Sequence, residues 1–111
     1  EFFKNFVKTW DANNLIALAN TWQRNDVGMT AQFDGNSEAA LASIRSDVLY
    51  MACETDQYFH IEALRWEAAR MPDANFVIIP SLWGHMAGGG MSEVDASFIN
   101  DRLTAFLKSE K

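Results

Sequence analysis

Two short apolar runs constrain the fold of this chain more than any other feature. Residues 48–53, VLYMAC, and residues 75–79, NFVII, are apolar without the alternation of a strand that has one solvated face. Such runs are typical of strands covered on both faces in a parallel sheet. A helical pattern over residues 61–71, stopped by Pro72, separates them. The sequence therefore predicts a β–α–β unit with parallel strands and a right-handed crossover.

Further helices are predicted around this unit, each with a polar residue that can cap its first turn. They are residues 11–24 with Asp11 or Asn13 as the cap, a short helix after residue 37 with Ser37 as the cap, and a last helix after Ser92 with Val94, Phe98, Ile99, Leu103 and Phe106 facing inward. The predicted class is α/β. Two strands make a poor sheet alone, so we expect further strands from missing N-terminal sequence or a partner chain.

Composition narrows the possible partners. The 111 residues carry a net charge of -6, which argues against nucleic acid and anionic membranes as partners. No apolar run approaches the length of a membrane span, about 20 residues. A single cysteine, Cys53, cannot form an internal disulfide, and a reducing cytoplasm is the simplest compartment. His60 and His85 show no metal-ligand spacing with Cys53, so no metal is expected.

The candidate chemistry lies just beyond the two predicted strands. Asp56 follows the first strand, and His85 follows the second within a glycine-rich loop. Functional groups collect at the carboxyl edge of parallel sheets, where these side chains can meet. A carboxylate bonded to one imidazole nitrogen would leave the other nitrogen free as a general base. The alternative is that Asp56 is a turn former and His85 an exposed loop residue.

Three segments resemble one enzyme family. The stretch ETDQYF…EAARMPDANFVIIPSLWGHMAGG resembles the C-terminal part of α/β-hydrolase-fold enzymes of the homoserine O-acetyltransferase-like group. FVKTWDANNLIALANTWQRNDVG is similar to that group's segment where a helical lid ends, and EAALASIRSDVLYM to its approach to the acid-bearing strand. The resemblance implies that residues 1–30 end a helical lid and that residues 31–111 form the C-terminal part of the hydrolase core.

The resemblance also implies a chemistry. It assigns Asp56 as the acid and His85 as the base of a Ser–Asp–His triad whose serine belongs to an upstream elbow, so this chain would be an inactive fragment. The remainder of the protein would be its partner, and the small-molecule substrate would be an ester or acyl donor. Acetyl-CoA is a possible acyl donor, no bound cofactor is implied, and the lid helix can contribute to a homodimer.

Other residues leave alternatives open. Trp83, Met86 and Asp11 are candidate substrate contacts, although Asp11 is explained equally by helix capping. Ser37, in GNSEA, superficially resembles a nucleophile elbow, but no buried strand precedes it. The family commonly places an acidic residue after its histidine to receive the acceptor's amine. Met86 occupies that position here, which favours a hydrolase or a less charged acceptor. A non-catalytic α/β binding module is the second hypothesis.

Overall fold

The computed structural model describes residue 8, residues 10–90 and residues 92–109. Strands β1, Val48–Cys53, and β2, Ala74–Ile79, form a two-stranded parallel sheet, paired from Val48 opposite Ala74 to Cys53 opposite Ile79. The helices are α1, Ala12–Arg24; α2, Ser37–Ala42; α3, Ile61–Ala68; and α4, Glu93–Lys108, with a 3₁₀ helix at Gly84–Gly89. Helix α3 joins the two strands, and the predicted α/β class with parallel strands and flanking helices is confirmed.

The helix caps follow the polar residues of the sequence. The Asp11 carboxylate accepts from the backbone N–H groups of Asn13 and Asn14, at 2.9 and 3.1 Å, and so caps α1 as predicted. Ser92 Oγ accepts from the N–H of Asp95 at the start of α4, at 3.4 Å. These bonds satisfy N–H groups that have no partner within the first turn of a helix.

Two helix boundaries differ from the prediction. Helix α3 ends at Ala68, three residues before the predicted end at Met71. A proline disfavours helical backbone in the residue before it, so Pro72 ends the regular helix early. Ser37 is the first residue of α2 rather than its cap, and its hydroxyl donates to Asp26 Oδ1 at 2.7 Å.

The prediction that both strands are buried on both faces is wrong for this chain. Residues 48–51 of β1 are half-buried, and Ala52, Cys53 and Ile79 are the buried residues of the sheet. A sheet of only two strands leaves each strand with one edge that no described strand covers. The apolar runs therefore have more capacity for burial than the described residues provide.

The core lies at the carboxyl ends of the strands. Cys53, Ile79 and Ala87 form its buried centre, and Met51, Phe98 and Ile99 pack against it. Ala87 is fully buried, so the 3₁₀ helix is anchored against the sheet. The prediction that Val94 and Leu103 of α4 face inward is wrong, because their exposed fractions are 77% and 42%.

The chain separates into two compact units, one ending at Ser37 and the other beginning at Glu38. The predicted boundary between lid and core, at residues 30 and 31, stays a prediction, and residues 1–7 and 9 of the lid segment lie outside the described residues. In the described part of the chain, no helix has the length and apolar character needed to cross a bilayer.

Candidate active site

Asp56 and His85 meet at the carboxyl edge of the sheet. Asp56 is the third residue after β1, and His85 is the sixth after β2. Imidazole Nδ1 lies 3.2 Å from Asp56 Oδ2, so the expected contact between the two side chains is present. This separation is at the long end of the hydrogen-bond range, as is common for catalytic bonds without substrate.

The two oxygens of Asp56 have separate partners. Oδ1 accepts from the N–H groups of Tyr58 and Phe59, at 2.7 and 3.2 Å, whereas Oδ2 faces the imidazole. Burial by itself raises the pKa of Asp56, but these two N–H bonds, and then His85, outweigh it and lower the pKa below its ordinary value. The carboxylate is thus both 91% covered and held in its charged form at neutral pH.

The loop before His85 requires a glycine. Gly84 has a φ of +55°, and a Cβ atom there would lie 3.2 Å from the carbonyl oxygen of Thr55. Backbone with positive φ is available to glycine without strain. Gly84 therefore lets the chain turn close to the end of β1, which brings the next residue to Asp56.

Two aromatic rings pack against the imidazole. The ring centroids of Tyr58 and Phe59 lie 4.8 and 5.4 Å from that of His85, with interplanar angles of 51° and 42°. These distances are typical of favourable aromatic contacts. The short turn after Asp56 therefore holds His85 both by its carboxylate and by its two aromatic side chains. Sequence reasoning missed both rings, although two adjacent aromatics two and three residues after a strand-end aspartate were a readable signal.

A cavity opens beside the pair. Its volume is about 370 Å³, and Asp56 and His85 line it together with the apolar side chains of Met51, Leu64 and Phe59. The His85 side chain is 47% exposed. Because Asp56 engages Nδ1, Nε2 is the ring nitrogen left free to accept a proton.

The structure places the other predicted site residues elsewhere. Trp83 and Met86 flank His85 in sequence, are about half exposed, and are absent from the lining of this cavity. Asp11 belongs to the first unit and caps α1. Substrate contact by these three residues stays a prediction. Within the described ranges, no group of three or more metal-ligating side chains is placed to hold an ion.

Comparison with known proteins gives two relatives. The chain is 31% identical over 106 residues to an ethyl acetate hydrolase of Pseudomonas veronii, covering 96% of this chain and 29% of that protein. It is 32% identical over 84 residues to a homoserine O-acetyltransferase of Clavibacter michiganensis, covering 72% of this chain and 21% of that protein.

The chain thus spans less than a third of the length of either relative. No protein-family model matches it, and no solved structure matches it significantly. What the two matches support is a distant, α/β-hydrolase-like relation of this chain to an ester hydrolase and an O-acetyltransferase.

Proposed function

We propose that this chain supplies the acid and the base of a Ser–Asp–His triad in an enzyme that hydrolyses small esters. The observation that carries the proposal is the 3.2 Å contact between Asp56 and His85 at the ends of adjacent parallel strands. The similarity to an ethyl acetate hydrolase along 96% of the chain supports the same chemistry.

The nucleophile is proposed to come from protein sequence outside these 111 residues. Among the described residues, no serine hydroxyl hydrogen bonds to the His85 imidazole. The hydroxyl of Ser81 donates to Asp95, and that of Ser37 donates to Asp26. Both are engaged with carboxylates, which leaves neither poised to give its proton to the imidazole.

The proposed reaction proceeds in two steps. The serine oxygen attacks the ester carbonyl while its proton moves to Nε2 of His85, and the departing alcohol takes that proton when the ester C–O bond breaks. Water then attacks the acyl-serine and gives a proton to Nε2, and the proton returns to the serine as the acid leaves. Asp56 stays ionised throughout and stabilises the imidazolium.

Met86 favours water over homoserine as the acyl acceptor. A thioether cannot form an ion pair with an ammonium group, whereas the related acetyltransferases commonly have an acidic residue at this position. The apolar side chains lining the cavity also suit a small uncharged ester. We therefore place ester hydrolysis before acetyl transfer from acetyl-CoA.

The test compares two reactions of the full-length protein that contains this chain. We expect hydrolysis of ethyl acetate and p-nitrophenyl acetate to exceed acetyl transfer from acetyl-CoA to homoserine, measured as alcohol or p-nitrophenol release against O-acetylhomoserine formation. Faster homoserine acetylation would overturn the hydrolase assignment and leave acyl transfer.

The chain's two histidines give a matched pair of variants. His85→Ala should lower ester turnover by about 10³-fold or more, because the general base is lost. His60→Ala should change turnover less than about twofold, since His60 is exposed at the start of α3 and its side chain makes no capping bond. Undiminished ester turnover of His85→Ala would show that His85 is not the general base and would favour the alternative, in which this chain is a non-catalytic module of the protein.

A further inference from the structure

The loop that carries His85 is tied to the end of β1 by Thr55. The Thr55 hydroxyl donates to the carbonyl oxygen of Ser81 at 2.7 Å and accepts from the N–H of Gly84 at 3.1 Å. One side chain thus bonds to both ends of the four-residue segment from Ser81 to Gly84. The thiol of Cys53 also donates to the Ser81 carbonyl, at 3.5 Å.

A second pair of side chains ties the same segment to α4. Ser81 Oγ donates to Asp95 Oδ2 at 2.5 Å and accepts from the N–H of Trp83 at 3.1 Å. Ser81 and Asp95 are each only 5% exposed. A hydroxyl–carboxylate bond this short is charge-assisted and stronger than a neutral one. The path of the loop is therefore fixed from the sheet on one side and from the last helix on the other.

These bonds give a role to Ser81 and Asp95, two buried polar side chains that take no part in the proposed reaction. Asp95 is a buried carboxylate outside the lining of the cavity, and Ser81 bonds to neither Asp56 nor His85. Burying a carboxylate is costly unless hydrogen bonds compensate it. Ser81 Oγ, held by Asp95, accepts from the N–H of Trp83, and Thr55 Oγ1 accepts from the N–H of Gly84, the residue immediately before His85.

We propose that Thr55, Ser81 and Asp95 are positioning residues that place the His85 imidazole against Asp56. Their hydrogen bonds hold the backbone of residues 81–84 so that Nδ1 reaches Oδ2. Any catalytic consequence of this placement rests on the proposed function, whereas the placement of the ring itself rests only on the hydrogen bonds. A purely structural role would stabilise the fold without changing how the imidazole is bonded.

The test observes the imidazole itself, in the full-length protein that contains this chain and without any substrate. ¹⁵N NMR at a pH well above the ordinary histidine pKa of about 6.5 gives the population of the Nδ1–H tautomer. We expect His85 to be mainly Nδ1–H because Asp56 accepts from that nitrogen. His60, exposed at the start of α3, is the internal reference.

Thr55→Val keeps the shape of the side chain and removes the hydroxyl. We expect it to lower the Nδ1–H population of His85 by about twofold or more, with Asp95→Asn and Ser81→Ala acting in the same direction. Thr55→Ser restores the hydroxyl and should restore the tautomer. Thr21→Val is the matched control, because its hydroxyl donates only within α1, to Ala17.

A folded Thr55→Val chain with an unchanged His85 tautomer would overturn the proposal. If that variant does not fold, hydrogen exchange of the unsubstituted chain decides instead. Protection of the Trp83 and Gly84 amides supports the proposal, and exchange as fast as that of an open loop overturns it. Neither measurement uses turnover. An inactive full-length protein would therefore refute the proposed ester hydrolysis and leave the positioning of the His85 ring unaffected.

Discussion

Two aspartate turns, one in each unit, use the same local chemistry for different ends. In the first unit, Asp26 Oδ1 accepts from the N–H of Gly28, two residues ahead, at 2.8 Å. In the second unit, Asp56 Oδ1 accepts from the N–H of Tyr58, also two residues ahead, at 2.7 Å. Aspartate favours such turns because its short carboxylate reaches the backbone N–H two residues on.

The turns differ in what the aspartate binds next. Asp26 is exposed, and its same oxygen also accepts from the Ser37 hydroxyl, which closes a loop. Asp56 is buried, and its second oxygen faces the His85 imidazole. The comparison teaches that the turn alone does not make a site. Its position at the carboxyl edge of a parallel pair supplies the second partner.

The largest expected difference is in activity. Asp56→Asn in the full-length protein should lower kcat for ester hydrolysis by about 10⁴-fold. The amide N–H that replaces a carboxylate oxygen donates rather than accepts, so it cannot hold the imidazole in the Nδ1–H tautomer. Steady-state kinetics with p-nitrophenyl acetate measures it.

Asp26→Asn is the matched control for that substitution. It makes the same chemical change in the other turn, and we expect ester turnover to change less than about twofold. Equal effects of the two substitutions would show that Asp56 acts only as a turn former.

Substitution of Gly28, in the Asp26 turn, should destabilise the fold more than substitution of Gly84, in the loop before His85. Gly28→Ala would place a Cβ atom 2.5 Å from the backbone nitrogen of Ser37, so we expect a loss of about 2–3 kcal/mol in the free energy of unfolding. Gly84→Ala has positive φ and a 3.2 Å approach to Thr55, and should cost about 1–2 kcal/mol. Urea denaturation of the full-length protein that contains this chain measures both.

Gly88→Ala is the control for these variants, because a Cβ atom there has nothing within 4 Å. Its unfolding free energy should stay within about 0.5 kcal/mol of the parent. The opposite ranking, with Gly88→Ala the most destabilising, would contradict the close approaches described for Gly28 and Gly84.

The smallest expected effects are on carboxyl titration. The Ser37 hydroxyl and then the Gly28 N–H lower the pKa of Asp26, so Ser37→Ala should raise that pKa toward its ordinary value. At Asp56, burial raises the pKa. The N–H groups of Tyr58 and Phe59 lower it more than His85 does. His85→Ala should therefore leave the pKa of Asp56 still lowered.

Carboxyl ¹³C shifts recorded against pH test this difference. Each lowered pKa means that the carboxylate stabilises the fold above the ordinary aspartate pKa, about 4, and loses that contribution as the pH falls through the lowered value. A normal Asp56 pKa in His85→Ala would show that the imidazole, not the backbone, holds the charge.

The sequence predicted the parts of the site that follow from two parallel strands, namely Asp56 and His85 at the carboxyl ends. The apolar runs that precede Asp56 and His85 located both strands. Parallel pairing of these strands was enough to bring the two residues together. It overestimated strand burial, because apolar character reports what a strand can bury and not how many neighbours it has. It also placed Val94 and Leu103 inward on helical spacing alone.

The hydrogen bonds of the loop could not be predicted in the same way. Thr55, Ser81 and Asp95 are far apart in the chain, and each is a common residue with ordinary roles in turns and helix starts. Thr55 meets its partners only when the loop folds over the end of β1, and Ser81 meets Asp95 only when α4 packs against the loop. The contacts of Tyr58 and Phe59 with His85 were easier to predict, because these rings lie only two and three residues after Asp56.

The single crossover between β1 and β2 has a consequence for how such a protein tolerates movement. Because Asp56 and His85 follow the two strands of one β–α–β unit, a rigid displacement of that unit together with these loops would leave the contact between Nδ1 and Oδ2 unchanged. In the proposed enzyme, substitutions in distant parts of the whole protein would therefore alter how the nucleophile approaches His85, and the Asp56–His85 pair would keep its internal geometry.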